Sequence, residues 1–459
     1  MEKKEVFGFL DGYADVFNAV SDSIWDHPET CYTEKESAAI LVKALKDFGF
    51  NVEENVADIE TAFIGRWGHG KPVIGFLGEF DALPGLSQEA GCTEKKPIEP
   101  GGNGHGCGHN LLGVGCLEAA VGLKRYLEKT GKEGTVLFCG CPAEEGGSGK
   151  AFMARDGVFD ELDIAISWHP GPSYGVPSDA TLANCQLYFR YKGRSSHAGL
   201  SPELGRSALD AVTLMNVGIQ FLREHVPTTV RMHYAVTDTG GFSPSVVQAN
   251  AEALYLLRAP DNTILAEIRA RVEDIARGAA LMTGTELEID FVKACSNILP
   301  NDVLGYAAAG ALREVPKPVY SDEDIAFYSK ISASCPGGNA DAPLSRQEAE
   351  YAPTDRISGV SSDVGDVSYV VPTVSFGTPV WPIGTDAHSW QAVAVGKSSI
   401  AHSETMVAGK AMVGLAIDLI ENPELIEKAK EEQYRRLNGE KFVSPIPKGV
   451  KPRIIGQKK

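Results

Sequence analysis

Cys107 and His109 stand one residue apart in a glycine-rich stretch, residues 101–115, GGNGHGCGHNLLGVG. Glycines on both sides let the backbone turn sharply, so that both side chains can face one point. A thiolate and a neutral imidazole are good ligands for a divalent ion such as zinc. Leu111, Leu112, Val114, Leu117, Val121 and Leu123 follow as a buried helix. The pair then stands at or near a helix N-terminus, where the macrodipole favours a thiolate. Three other places carry related chemistry: Glu144 and Glu145 in CPAEEGG, His169 in SWHP, and Asp386 and His388 in GTDAHSWQ. A hydrolytic metal centre needs N, O and S ligands, an open position for water and a base beside that water. Cys107, His109, Glu145, His169 and His388 supply enough ligands for two ions, and in a Glu-Glu pair one carboxylate can bind metal while the other accepts a proton. Singly, each place has a plainer reading: an incidental cysteine in a turn, a solvated acidic pair, a turn histidine before proline. Taken together, they favour the metal.

Apolar patterning names the elements that must position these residues. Residues 72–78 (PVIGFLG), 135–140 (TVLFCG) and 163–168 (DIAISW) are nearly unbroken apolar runs, as in strands covered on both faces of a parallel sheet. Asp81, the Glu144/Glu145 pair and His169 each follow such a run, and the helix after Cys107/His109 lies between the first two. Ligands of open α/β sheets bind beyond the strands' C-terminal ends, so Asp81, Cys107, His109, Glu144, Glu145 and His169 are expected to converge. Residues 33–48 read as a helix with a Thr33/Glu36 capping box and a Gly49 stop.

From residue 184 the pattern changes to alternating strands and two amphipathic helices in the order βαββαβ, which is ferredoxin-like. About 110 residues is a normal size for a small domain. The expected architecture is therefore an α/β domain in two parts, residues 1–183 and 296–459, with an insertion at 184–295. In the second part, residues 306–312 read as helix, 334–346 as a Gly/Pro-rich loop, 370–376 as a strand and 397–420 as a long closing helix.

The chain's 459 residues allow two or three domains, and 43% hydrophobic with 23% charged residues is ordinary for a globular protein. A formal net charge of −18 argues against nucleic-acid binding. The Lys/Arg cluster at 448–459 reads as a solvated tail. Nine scattered cysteines point to reduced thiols, and no run has the length of a membrane span or the pattern of a signal peptide. A cytoplasmic location is expected.

The segments DHPETCYTEKES, EFDALP, HGCGHN, PAEEGGSGK, SWHP, GRSSHAG, SSDVGDVSYVVPT and GTDAHSWQAVAVGKSSIAH, spread over residues 26–402, resemble the M20 metallopeptidase/amidohydrolase family. The likeness is to the branch in which a Cys replaces a bridging Asp ligand, that of hippurate and auxin-conjugate hydrolases. The resemblance implies a metallopeptidase-type α/β catalytic domain with an inserted lid and dimerisation domain. It implies two divalent ions, zinc or manganese, held by Cys107, His109, Glu145, His169 and His388, with the Cys107 thiolate bridging. It implies Glu144 as general base and Asp81 as the acid that orients the site. His197, in GRSSHAG, matches a histidine that reaches a partner subunit's active site, and Arg258, in LYLLRAP, an arginine that holds a substrate carboxylate. The family's CGHDGH is here CGHNLL, with Asn110 for Asp. Its Asn-x-x-Pro is here Ser245-Val246-Val247-Gln248, where Ser245 can donate in place of Asn. The expected activity is hydrolysis of the amide of an N-acyl amino acid, with p-aminobenzoyl-glutamate the specific expectation. The rivals are a dipeptidase, a regulatory subunit that needs a homologous partner chain, and a metal-storage protein, which would have no use for a base beside a ligand; a homodimer or a heterodimer with a homologous subunit is expected. A subunit without catalysis would be free to lose the ligand set and Glu144, and both are intact.

Overall fold

The computed structural model describes residues 1–348 and 350–454. Three helices, α1 (Lys3–Asp11), α2 (Ala14–Trp25) and α3 (Lys35–Asp47), lead into strands β1 (Asn51–Glu54), β2 (Phe63–His69) and β3 (Val73–Glu79). Helix α4 (His109–Thr130), β4 (Gly134–Cys141), the short α5 (Gly149–Arg155) and β5 (Ile164–Gly171) complete the first part. The insertion runs β6 (Ala183–Lys192), α6 (Ala208–Leu222), β7 (Arg231–Asp238), β8 (Asn250–Ala259), α7 (Asn262–Thr283) and β9 (Glu286–Cys295). Next come α8 (Asp302–Glu314), α9 (Asp322–Ala333), α10 (Val364–Val370), β10 (Thr373–Pro379), α11 (Trp390–Val395), α12 (Ser399–Glu421) and α13 (Pro423–Arg436).

The larger sheet has the order β1-β2-β4-β3-β5-β10. Strands β4, β3, β5 and β10 are parallel, and β2 and β1 extend the sheet antiparallel. Every residue of β3 and β4 is buried, which explains their unbroken apolar sequences. Helix α4 is buried along most of its length, and its first turn is pinned to the end of β5. Trp168 Nε1 donates to the Leu112 carbonyl at 2.9 Å. A Cβ on Gly115 would stand 2.4 Å from that nitrogen, so only glycine lets the indole pass. This contact sets the spacing between His109, at the start of α4, and His169, next to the anchored indole.

In the insertion, the antiparallel order β7-β8-β6-β9 is that of a ferredoxin-like βαββαβ unit. Ala251, Ala253, Tyr255, Leu257 and Ala259 alternate inward along β8, where they meet the apolar sides of α6 and α7 in one core. Among the described residues, no helix is long and apolar enough to cross a membrane.

Four local expectations are corrected. Thr33 and Glu36 form no capping box; the Glu29 carboxylate accepts from the Glu36 and Ser37 amides instead, because Glu34 turns into the core. The strand expected from Val370 begins at Thr373, since α10 takes the preceding residues. Helix α12 does not close the chain, because α13 follows it after Asn422. The basic tail is not free as far as residue 454: Arg453 pairs with Asp290 of β9 at 2.9 Å, and Arg155 donates to the Val450 carbonyl at 2.6 Å. Residues 455–459 of that tail lie outside the described residues.

Candidate metal centre

The ends of β3, β4 and β5 open on one crevice, into which α4 presents its N-terminus. Asp81 lies just beyond β3, Glu144 and Glu145 beyond β4, and His169 near the end of β5. Gly108 caps α4 with φ +73, and a Cβ there would stand 2.9 Å from Pro170 Cγ. Glycine is thus required to bring Cys107 and His109 against the His169 turn. His388 arrives from the loop before α11, and its amide donates to the Gly106 carbonyl at 2.9 Å. Ala143 and His388 hold left-handed backbone at φ 60 and φ 62. Such strain, about 1–3 kcal/mol per residue, persists where surrounding structure enforces it.

Five expected ligands meet here. Cys107 Sγ lies 3.4 Å from His169 Nε2. His169 Nδ1 is 2.8 Å from the Pro170 carbonyl, so that nitrogen carries the proton and Nε2 is left as a ligand. His109 Nδ1 donates to Asp81 Oδ1 at 2.9 Å, and Asp81 Oδ2 accepts from the Glu145 amide at 3.0 Å. One carboxylate thus orients two proposed ligands. His388 Nε2 is 3.2 Å from Glu145 Oε1. Cys107, His109 and His169 form one group with ligand atoms mutually within 4.8 Å, and Cys107, Glu145 and His388 form another. Cys107 belongs to both. Glu144 lies half-buried beside them, in a third group with Glu79 and His109.

The donor set fits a pair of divalent ions. His109 Nε2 is buried without a hydrogen bond, a costly state for a polar atom unless something else binds it. Burial pushes the Cys107 thiol up. Burial works against charge on His109, but Cys107 and Asp81 hold its pKa well above the usual imidazole value. Burial also opposes the Glu145 anion, yet the His388 hydrogen bond and the charges of His109 and His388 bring it down to about 2. Burial, then the charges of Glu79, Asp363 and Glu145, push Glu144 well above the carboxylate range, with Lys150 partly offsetting them. Protons now shared around Cys107 and His109 are what a divalent ion would displace.

The residues of the insertion lie apart. His197 is exposed, and its Nδ1 accepts from the Gly199 and Leu200 amides at 3.2 and 3.1 Å. Its proton is therefore on Nε2, which leaves an N–H donor available to a ligand. Ser245 Oγ meets Ser243 Oγ at 3.0 Å, and its carbonyl accepts from the Ala198 amide, which ties it to the His197 loop. Arg258 donates to Ser361 Oγ at 2.8 Å, and Ser361 to the Leu182 carbonyl, at the seam between the two sheets. Among the described residues, no hydrogen bond or ion pair joins any of the three to the Cys107 groups. Asn110 donates to Ser21 Oγ and the Gly396 carbonyl, so its amide serves helix packing.

Asp363 is noted in the sequence without a role, and Glu79, Lys150 and Glu34 are not singled out there. Glu79, Lys150 and Asp363 form a buried ion cluster beside His109. Glu34 accepts from the Tyr32 and Ala143 amides, which supports the strained turn before Glu144. Its carboxyl is pushed up to about 8, by burial and then by Asp81. The readable signal was Lys150, a lone charge in the otherwise apolar run KAFMA.

Comparison with known proteins agrees with this architecture. The peptidase family M20/M25/M40 matches residues 75–358. The chain is 45% identical to one of the subunits of p-aminobenzoyl-glutamate hydrolase from Escherichia coli K12, over 98% of this chain and 99% of that protein. It is 28% identical to the Xaa-Arg dipeptidase of Mus musculus, over 95% and 93% of the two chains. Its fold matches that of a dinuclear metal-binding M20 peptidase from Bacillus subtilis, with TM-score 0.57 at 16% identity over 90% of this chain and 99% of that one. The chain belongs to peptidase family M20/M25/M40, and it is a hydrolase of amide bonds to amino acids.

Proposed function

We propose that the substrate is p-aminobenzoyl-glutamate or a closely similar aroyl-amino acid, cleaved at a centre of two divalent ions. The observation that carries this reading is the pair of ligand groups sharing Cys107, with Glu144 beside them. Cys107, His109 and His169 would hold one ion and Cys107, Glu145 and His388 the other. The thiolate favours zinc, while the carboxylate and imidazoles also accept manganese. When bound, the ions supply Lewis-acid polarisation of the scissile carbonyl and lower the pKa of water.

The chain's own residues do the rest. Glu144 accepts the proton of the attacking water as oxygen bonds to the carbonyl carbon, and returns it to the amide nitrogen as the C–N bond breaks. Asp81 fixes the His109 tautomer and the Glu145 backbone. His197 donates from Nε2 to the oxyanion across a dimer interface, and Arg258 or Ser245 receives the substrate carboxylate. In this reading residues 184–295 are the lid and dimerisation domain between catalytic segments 1–183 and 296–459. The partner is a second copy or a homologous chain, in a cytoplasmic enzyme. The 45% identical relative, itself one component of a multi-chain hydrolase, supports both the substrate and the assembly.

The test is metal-reconstituted protein assayed against a panel of N-acyl amino acids and dipeptides. Release of p-aminobenzoate from p-aminobenzoyl-glutamate is expected to be fastest. Turnover confined to dipeptides would overturn the substrate assignment and favour the dipeptidase reading, for which the 28% identical relative is the precedent.

A further inference from the structure

Lys150 is the second residue of α5, whose neighbouring residues Ala151, Phe152, Met153 and Ala154 are apolar core. Its side chain is itself sealed from water, at 0% exposure. The ammonium lies 2.8 Å from Glu79 Oε1 and 2.6 Å from Asp363 Oδ1, and the Lys150 amide donates to Asp363 Oδ2 at 2.8 Å. Both carboxylates are buried as well. A buried ammonium persists only when it is paired, and here two anions from distant segments pair with one cation. Glu79 ends β3, while Asp363 precedes α10, beyond the whole insertion.

The cluster adjoins the metal centre. Glu79 Oε2 is 3.3 Å from His109 Nε2, the ring nitrogen that Asp81 leaves free. Glu79, His109 and Glu144 also have ligand atoms within 4.8 Å of one another. Glu79 therefore stands where it can either stay beside His109 or bind an ion itself. The ammonium on its other oxygen opposes the second choice, because ion and ammonium would compete for one carboxylate. A purely structural triad would need no carboxylate beside His109.

We propose that Lys150 is a positioning residue of the hydrolytic centre: by pairing with both Glu79 and Asp363, it holds the Glu79 carboxylate beside His109 Nε2 and keeps it out of the ligand set. This rests on the two-ion reading above. Lys150 touches neither substrate nor the reacting atoms, and its influence passes through Glu79.

The test compares Lys150→Met, Glu79→Gln and the double variant in the full-length enzyme. The readouts are cobalt stoichiometry, the visible spectrum of the cobalt-loaded protein, and kcat and KM with p-aminobenzoyl-glutamate. Lys150→Met is expected to bind two cobalt ions with a shifted spectrum. Its kcat should fall about 10–100-fold, the usual effect of removing an outer partner of a ligand, with KM held within about twofold. The double variant should share the spectrum of Glu79→Gln and lose no further activity. A wild-type spectrum and kcat in folded Lys150→Met, or multiplicative losses in the double variant, would overturn the proposal. If Lys150→Met does not fold, Lys150→Gln takes its place. If neither folds, Glu79→Gln decides alone, and wild-type spectrum and kcat there refute the idea. Wild-type protein that takes up no cobalt would sink the two-ion reading itself. Wild-type protein that binds cobalt but ignores p-aminobenzoyl-glutamate sinks only the substrate, and the spectra still decide the role of Lys150.

Discussion

At the metal centre, side chains are held by partners far away in the chain: His109 by Asp81, 28 residues away, Cys107 by His169, 62 away, and Lys150 by Asp363, 213 away. In the insertion, His197 is held by Gly199 and Leu200, and Ser245 by Ser243. The first arrangement can form only when the sheet is complete, and it is buried once formed. The second is two turns of the insertion itself, tied by the Ala198 amide on the Ser245 carbonyl and open to solvent. A preorganised centre thus sits in one part of the molecule, and an exposed set of donors in another. The proposed mechanism uses both, and a dimer interface is what would bring them together.

The sharpest break in that comparison is at Cys107. Because both ligand groups share it, Cys107→Ala should lose both ions and all activity, while His388→Ala, which touches one group, should keep one ion. Metal analysis of the two purified variants checks this, and full occupancy in both would remove the assignment. Next in size, Glu144→Gln should retain both ions and lose about 10²–10⁴-fold in kcat, as loss of a general base does. On the insertion side, His197→Ala should leave metal content untouched. It should lower kcat by about 10²–10³-fold, the effect of removing one oxyanion donor. The insertion's fold should be unaffected, since the His197 ring only accepts from two local amides.

Proton competition gives a subtler separation. Burial keeps the Cys107 thiol protonated, and His109 is held above its usual value. Metal uptake must release these protons, so apparent affinity should rise with pH. Calorimetry in buffers of different ionisation enthalpy reads the release directly. The smallest effect concerns the metal-free Glu145–His388 pair. Glu145 is depressed to about 2, so its contribution to stability is present above its unfolded value and lost as pH falls towards 2. His388 is raised, by Glu145, so its contribution is present below its unfolded value and lost as pH rises through its folded one. The pair therefore stabilises most between about pH 4.3 and 6.5. With His388 half exposed it is worth no more than about 1 kcal/mol. Melting curves of metal-free wild type and His388→Ala should differ in that window and converge outside it.

Much of this was legible from residues alone. The unbroken runs at β3, β4 and β5 announced buried parallel strands, and their C-terminal edges announced where Asp81, Glu145 and His169 would meet. Strands β1 and β2 carried no such run, since β1 is largely exposed, and they passed unseen. The capping of α3 was misread because local pattern cannot show that Glu34 is drawn inward by the Ala143 turn, 109 residues away. Lys150 escaped for the same reason: its partners lie on two other segments, and only the folded chain shows that its charge is buried. In the proposed reading, His197 serves the centre of a second protomer, an arrangement that no single chain displays.

The central claim, that a centre complete in one protomer is served by a donor from another, is tested most directly by mixing two inactive proteins. Protomers carrying His197→Ala are combined with protomers carrying Glu144→Gln, and mixed dimers are isolated by differential tags. Each mixed dimer should regain activity at one of its two sites, the one that receives Glu144 from its own chain and His197 from its neighbour. Verified mixed dimers as inactive as either parent would contradict donation across the interface.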